Sequence, residues 1–306
     1  MSAILLGVVP VFALIALGWA LKASGFLKDE SWRPVERLAY FAFYPGFLIP
    51  TIWAADFSGR AAPAASGAAI VSVALIAGAV LLLRPLLKQT GPAFTSVFQG
   101  SIRWNGFVFL PLVRAVFGQT GLELAAVVLG VLIPVVNVMC VLVLSRWGEG
   151  QGAGWRAVGK SMIANPVIWS CVVGLALNLA GVPPLEPFYA TLGLLGDAAL
   201  PLGLVIAGAG LSFRDAAMRP VVIGATTAVK LLVMPLLMWW FTRLFGGDSL
   251  AQGVALCCGA APGAAASYVL ARQMGGDAPL MAGIVAFTTA GAAVTIPLLL
   301  AIFHFS

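Results

Sequence analysis

Apolar stretches of about 20 residues recur along this whole 306-residue chain, and they constrain its fold more than any other feature. Each stretch is long enough to cross the hydrocarbon core of a bilayer. Only 9% of the residues are charged, against roughly 25% in soluble domains, so the chain could not cover its own surface in water. Because the stretches lack the alternating pattern of a membrane β-barrel, the spans are predicted to be helices.

The pattern predicts an all-α membrane protein with ten transmembrane helices. In chain order, the predicted spans one to ten cover residues 2–22, 36–54, 63–83, 93–117, 122–144, 162–181, 188–211, 220–242, 249–272 and 278–303. No basic residue precedes the first span, so it is predicted to be a membrane helix rather than a signal peptide. The four cysteines lie in apolar segments without metal-ligand spacing, and neither a metal nor a cofactor is expected.

Basic residues lie mostly in the loops that follow odd-numbered spans. Twelve of the 17 lysines and arginines do so, whereas only Arg60 and Arg243 follow even-numbered spans. Since basic loops stay in the cytoplasm, both termini are predicted to lie outside it and the Gly-rich linker 145–161 inside it. The chain is therefore expected to be a multi-pass protein of the inner (plasma) membrane. Its net charge of +6 is spread over short loops, so no nucleic-acid partner is expected.

An internal repeat relates the two halves of the chain. The stretch “PVFALIALGWALKASG” matches “PVIWSCVVGLALNLAG” in the positions of one proline and two glycines, at an offset of 156 residues that also carries Pro45 onto Pro201. Five spans per unit is an odd number, so the second unit would enter the membrane from the opposite side. Inverted repeats with broken helices are a design of secondary transporters. We expect five-helix repeats at 1–144 and 162–306, joined by the linker 145–161.

Helix-breaking residues lie in the fourth span of each predicted unit, around Gly106–Pro111 and around Pro262–Ser267. Irregular backbone at mid-membrane is tolerated only where protein or a water-filled cavity surrounds it. The two breaks are therefore expected to cross near the bilayer centre. Their half-helix N-termini would present free N–H groups to an anion such as a carboxylate. The alternative is that glycine and proline only allow close helix packing.

Several motifs, in the same order along nearly the entire chain, resemble the auxin efflux carrier family. “NGFVFLPL” resembles the asparagine and Leu-Pro-Leu motif of the family's fourth span, and “LGDAALPLGLVIAGAGL” resembles its seventh. “NPVIWSCVVGLALNLAGVPP” and “ASYVLARQMGGD” resemble its sixth and ninth spans. The short central loop is similar to that of compact bacterial-type members.

The resemblance implies a ten-helix fold like that of sodium/bile-acid symporters, with helices four and nine crossed. It also implies a scaffold of helices one, two, six and seven and a transport unit of helices three to five and eight to ten. Asn105 would contact the substrate and Pro111 would be the proline of the first crossing, whereas Ser267 stands where plant members have a second proline, leaving only Pro262. A small organic anion, the lipid bilayer and a homodimer partner are the implied interactions.

The candidate substrate-binding residues follow from the breaks, from the resemblance and from polar groups at membrane depth. They are Arg103, Asn105, Gly106, Pro111, Asn137, Pro262, Gly263 and Ser267. Charged residues at that depth are costly and usually functional. For Arg103, attraction of a substrate anion stands beside snorkelling or pairing with a carboxylate.

Asp197 and Lys230 are the acid and the amine deepest in the second half of the chain. They are candidates for a coupling role, either as a buried pair or with Asp197 exchanging a proton. A third alternative is that Asp197 only accepts backbone N–H groups at a helix kink.

The leading functional hypothesis is a secondary transporter of a small mono- or dicarboxylate, similar to auxin, malonate or malate, that works by rocking or elevator-like movement. A sodium-coupled bile-acid-type symporter and a non-transporting sensor with a carrier fold remain alternatives. The break of span nine offers backbone carbonyls but no Gln, Glu or Asn to bind Na⁺, which disfavours the symporter. An enzyme is not expected, because no HExxH or GxSxG motif is present.

Overall fold

The computed structural model describes residues 2–55, 59–150, 159, 163–213 and 219–305, and this described part is helical without strands. Most of the linker predicted at 145–161 lies outside the described residues. The helices, α1 to α13 in chain order, are Ser2–Ala23, Asp29–Leu38, Tyr44–Trp53, Ala61–Leu87, Gly91–Ile102, Gly106–Trp147, Pro166–Leu179, Glu186–Ala209, Pro220–Ala228, Met234–Leu244, Ser249–Ala260, Ala266–Met274 and Ala278–Phe303.

Five helical segments of the described chain are long and apolar enough to cross a membrane. They are Ala61–Leu87, Gly91–Trp147, Glu186–Ala209, Pro220–Leu244 and Ala278–Phe303. Shorter apolar helices cover Gly7–Ala23, Pro166–Leu179 and Ser249–Ala260. The segment 91–147 contains two predicted spans, four and five, because α6 turns sharply at Gly118, whose φ of 67° favours glycine. The chain is thus a multi-pass helical membrane protein.

Two of the predicted spans are interrupted near their middle. In span four the helix ends at Ile102 and resumes at Gly106, and in span nine it ends at Ala260 and resumes at Ala266. The first break lies earlier in the chain than the predicted stretch Gly106–Pro111. Pro111 is a buried residue inside α6, so its prediction as the residue of the crossing is wrong.

The break of span four lies where it does because the backbone becomes extended at Arg103, with φ −86° and ψ 149°, and remains so at Asn105. Pro111 causes no break, because a proline can remain in a helix when the surrounding packing compensates for its missing N–H. The break of span nine agrees better with the sequence. Pro262 lies in it, and Ser267 is the second residue of α12.

Two π-helical turns widen spans two and eight, at Ala39–Phe43 and Val229–Val233. Each is followed two residues later by a proline, Pro45 or Pro235. A proline cannot donate to the carbonyl four residues earlier and its ring clashes with that carbonyl, so a wider turn relieves the strain. Both turns carry a polar residue at their second position, Tyr40 and Lys230.

Close helix contacts in the described part fall into two groups. In one group α1 packs along α8, and α3 packs against α7 and α8. In the other, α4 packs against α10 and α11, and α11 also contacts α6. The α1–α8 contact depends on glycine, because a Cβ atom on Gly18 would overlap the carbonyl of Val205, and one on Gly208 would overlap that of Ile15. Of the interrupted helices, α5, α11 and α12 pack with the second group, whereas α6 packs against helices of both groups, including α1 and α8.

Candidate functional site

The two interrupted spans meet at their breaks. The backbone N–H of Asn105 donates a 2.8 Å hydrogen bond to the carbonyl oxygen of Pro262. Each break therefore satisfies one backbone group of the other, which is the condition for irregular backbone at membrane depth. The ends of four half-helices, α5, α6, α11 and α12, consequently converge on one small region.

Asn105 starts α6 as its N-cap. Its side-chain Oδ1 accepts a 3.0 Å hydrogen bond from the N–H of Phe107, and the residue is buried, with 5% of its surface exposed. This is the ordinary capping role of asparagine. The cap uses Oδ1 of the side-chain amide, while Nδ2 has no hydrogen bond within the described residues. The next residue, Gly106, lies against the hydroxyl of Tyr44, which is buried without a partner.

The break of span nine is held by a threonine from α13. The N–H of Gly263 donates to Thr288 Oγ1 over 3.0 Å, and that hydroxyl donates to the carbonyl of Ile284 over 2.7 Å. Ser267 is fully buried, and its hydroxyl has no hydrogen-bond partner in the described part of the chain. An unsatisfied buried hydroxyl is costly, so this serine is available to a bound molecule or water.

Arg103 contacts Asn137, another of the candidate site residues. Its Nη2 donates a 2.9 Å hydrogen bond to Asn137 Oδ1, whereas its Nη1 is buried without a partner among the described residues. Its guanidinium is thus held by an amide rather than by a carboxylate, and no ion pair of Arg103 is found in the described chain. A neutral partner leaves the positive charge of Arg103 uncompensated next to the breaks.

Tyr40 and Asn165 were not among the candidate residues predicted from the sequence. The hydroxyl of Tyr40, in the π-helical turn of span two, donates a 3.0 Å hydrogen bond to Asn165 Oδ1. That oxygen also accepts from the N–H of Val167 at 3.0 Å, so Asn165 caps α7 with nearly the same backbone angles as Asn105. The signal was present: in both places an asparagine precedes Gly or Pro and an apolar run, which is typical of an N-cap.

Asp197 and Lys230 do not form a pair. Asp197 is exposed on α8, and its carboxylate lies 3.6 Å from Arg114 Nη1. Lys230 is buried, and its Nζ donates to the carbonyl of Gly259 over 2.6 Å. Lys230 therefore lies at the end of α11, beside the break of span nine, while Asp197 lies elsewhere.

The charged groups near the breaks are positive. Arg103 and Lys230 carry the charges near the breaks, and the N-terminal ends of α6 and α12 add partial positive charge. In the residues that the structure describes, no group of His, Cys, Asp and Glu could hold a metal ion. Such a site is suited to a small anion with several acceptor oxygens.

Two comparisons with known proteins bear on this arrangement. Residues 155–300 match the family described as “Membrane transport protein”. Along 305 residues, covering 95% of each chain, the sequence is 26% identical to an “Uncharacterized transporter” of Methanothermobacter thermautotrophicus. The apolar helices and this full-length similarity indicate a multi-pass membrane protein that resembles transporters. The match of residues 155–300 confirms the resemblance to the auxin efflux carrier family that the motifs indicated.

Proposed function

We propose that the protein is a secondary transporter of a small organic anion, a mono- or dicarboxylate, which binds where the two interrupted spans meet. The observation that carries the proposal is the backbone hydrogen bond between Asn105 and Pro262, which brings the N-terminal ends of two half-helices to one place. Substrate sites at such discontinuous helices are a common transporter design.

The free donors at this place fit a carboxylate. The N–H groups of Gly106, Ala264 and Ala265 have no hydrogen bond among the described residues, and neither has Nη1 of Arg103. Backbone N–H groups and an arginine fork are the groups that recognise carboxylate oxygens in proteins. The buried Ser267 hydroxyl offers an additional donor.

Alternating access would come from movement between the two groups of packed helices. The proposed scaffold is α1, α2–α3, α7 and α8, and the remaining helices would form the transport unit. In the proposed repeat, α1 corresponds to α7, and α2–α3 corresponds to α8. The contact of α1 with α8 is therefore equivalent to the contact of α3 with α7, and this packing supports the division. We infer inverted repeats from this pairing and from the odd number of spans per unit.

Transport in proteoliposomes tests the proposal. The purified protein is reconstituted and assayed for saturable uptake of a panel of mono- and dicarboxylates, with and without Na⁺ and with and without a pH gradient. We expect uptake of at least one carboxylate above that of protein-free liposomes. Uptake confined to neutral or cationic solutes would contradict an anion carrier.

A further inference from the structure

Lys230 is a buried lysine near the middle of the α9–α10 segment. It lies in the π-helical turn Val229–Val233, and only 1% of its surface is exposed. A charged side chain at such depth is expensive unless its charge is satisfied. Lys230 has no ion pair within the described chain, and its ammonium instead donates to the carbonyl oxygen of Gly259 at 2.6 Å.

Gly259 belongs to the C-terminal end of α11. The last four carbonyls of a helix have no intrahelical donor, and this end carries partial negative charge. Gly259 also packs backbone to backbone against α10, since a Cβ atom on it would overlap Pro235. The close approach of the two helices, together with the widened turn, lets the lysine reach the end of α11.

We propose that the Lys230 ammonium is a tethered counter-cation, which takes the place of a free monovalent cation at the end of α11. The carrier then needs no metal ion at the break of span nine. The inference rests on the proposed function only in assigning this break to the transport path. Backbone carbonyls without a carboxylate suit a single positive charge, the charge that Lys230 supplies.

The other break is consistent with the same arrangement. The residue that follows α5 directly is Arg103, so the chain also supplies a cation beside this second half-helix C-terminus. The 156-residue offset of the internal repeat carries Arg103 onto Gly259, the residue to which Lys230 donates. Equivalent helix ends are thus accompanied by positive charge from different side chains, and the N-terminal ends remain available to an anion.

Replacing the lysine by a small residue should convert the tethered cation into a binding site. We expect the melting temperature of the wild-type protein in detergent to be equal in sodium chloride and choline chloride at the same ionic strength. Lys230→Ala should melt lower in choline and recover by about 3 °C in sodium or methylammonium chloride. Its carboxylate uptake should depend on Na⁺ or methylammonium in the same way.

Lys230→Met tests charge without opening space. It should transport poorly and show no response to cations, because its side chain fills the volume that a cation would enter. Lys230→Arg should remain independent of cations, and the exposed Lys88→Ala should behave like the wild type. If Lys230→Ala does not accumulate in membranes, Lys230→Met and Lys230→Arg still test whether the positive charge is required.

Two results would overturn the inference. One is wild-type transport by Lys230→Met, which would show that the side chain only fills space. The other is stabilisation of the wild-type protein by Na⁺ over choline. Absence of carboxylate uptake by a wild-type protein whose melting shows the expected cation pattern would instead contradict only the proposed function.

Discussion

Asn105 contributes two different groups to the crossing of the interrupted spans. Its backbone N–H binds Pro262 in the other break, and its side-chain oxygen caps α6. Arg103, two residues earlier, presents a guanidinium that a neutral amide orients without cancelling its charge. At the scale of single residues, the site therefore combines a structural cap with unsatisfied donors.

Asn105→Ala should abolish transport while leaving the protein in the membrane. Loss of the cap costs about 1 kcal/mol of stability, which is too little to prevent folding, but the variant also loses the Nδ2 donor. Asp248→Ala removes a comparable cap, the bond to Ala251 N–H at the far end of α11. Uptake and melting temperature should distinguish the two variants. Both should lose a similar amount of stability, but only Asn105→Ala should lose transport. Unchanged uptake would remove Asn105 from the site.

Arg103→Gln should weaken the binding of charged substrates more than that of uncharged analogues. The glutamine keeps hydrogen-bonding capacity for Asn137 but lacks the positive charge. Affinities measured by competition for a carboxylic acid and its amide would show the difference, with the exposed Lys88→Gln as a control. Equal loss for both ligands would indicate a folding defect.

At the scale of elements, the helices and the presence of breaks in spans four and nine were predictable, but the position of the first break was not. Long apolar runs specify where helices lie, because every backbone group in lipid must be satisfied within its own segment. The position of the first break and the ion pair of Asp197 were not predicted, for a different reason. The position of a break depends on a cap and on a partner break 157 residues away in the sequence, as for Asn105 and Pro262, and the ion pair of Asp197 joins two different helices. Such non-local contacts leave no periodic signal.

Two glycines of α8 should respond oppositely to alanine. A Cβ atom at Gly208 overlaps the backbone of Ile15 in α1, whereas one at Gly193 meets no atom within 4 Å. Gly208→Ala should lower stability by about 1–3 kcal/mol through overpacking. Gly193→Ala should raise it by about 0.5–1 kcal/mol, because alanine loses less backbone entropy in a helix. Unfolding in detergent would measure both, and equal effects would contradict the close α1–α8 contact.

At the scale of the whole molecule, the predicted orientation in the membrane rests on the distribution of basic residues rather than on the fold. Lys88 and Arg146 lie at the C-terminal ends of α4 and α6. These two ends are neighbours, because Gly91, just after α4, lies against the last residue of α6, Trp147. This sidedness stays a prediction from the sequence, and it rests on loop charge, which is a local property of the chain.

Thiol labelling in intact cells should reveal the orientation. In a variant without the four native cysteines, Arg60→Cys is expected to react with a membrane-impermeant maleimide and Lys88→Cys only after permeabilisation. The two positions flank α4. The reverse pattern would place the termini in the cytoplasm, and equal labelling of both positions in intact cells would contradict a membrane-spanning α4.

The link between the two interrupted spans is made by main-chain atoms, an N–H and a carbonyl that nearly every amino acid possesses. Neighbouring side chains can therefore be exchanged without undoing it. A carrier built in this way can change its substrate through side-chain substitutions while the main-chain hydrogen bond between the two breaks is kept. Selectivity can then evolve without loss of the crossing.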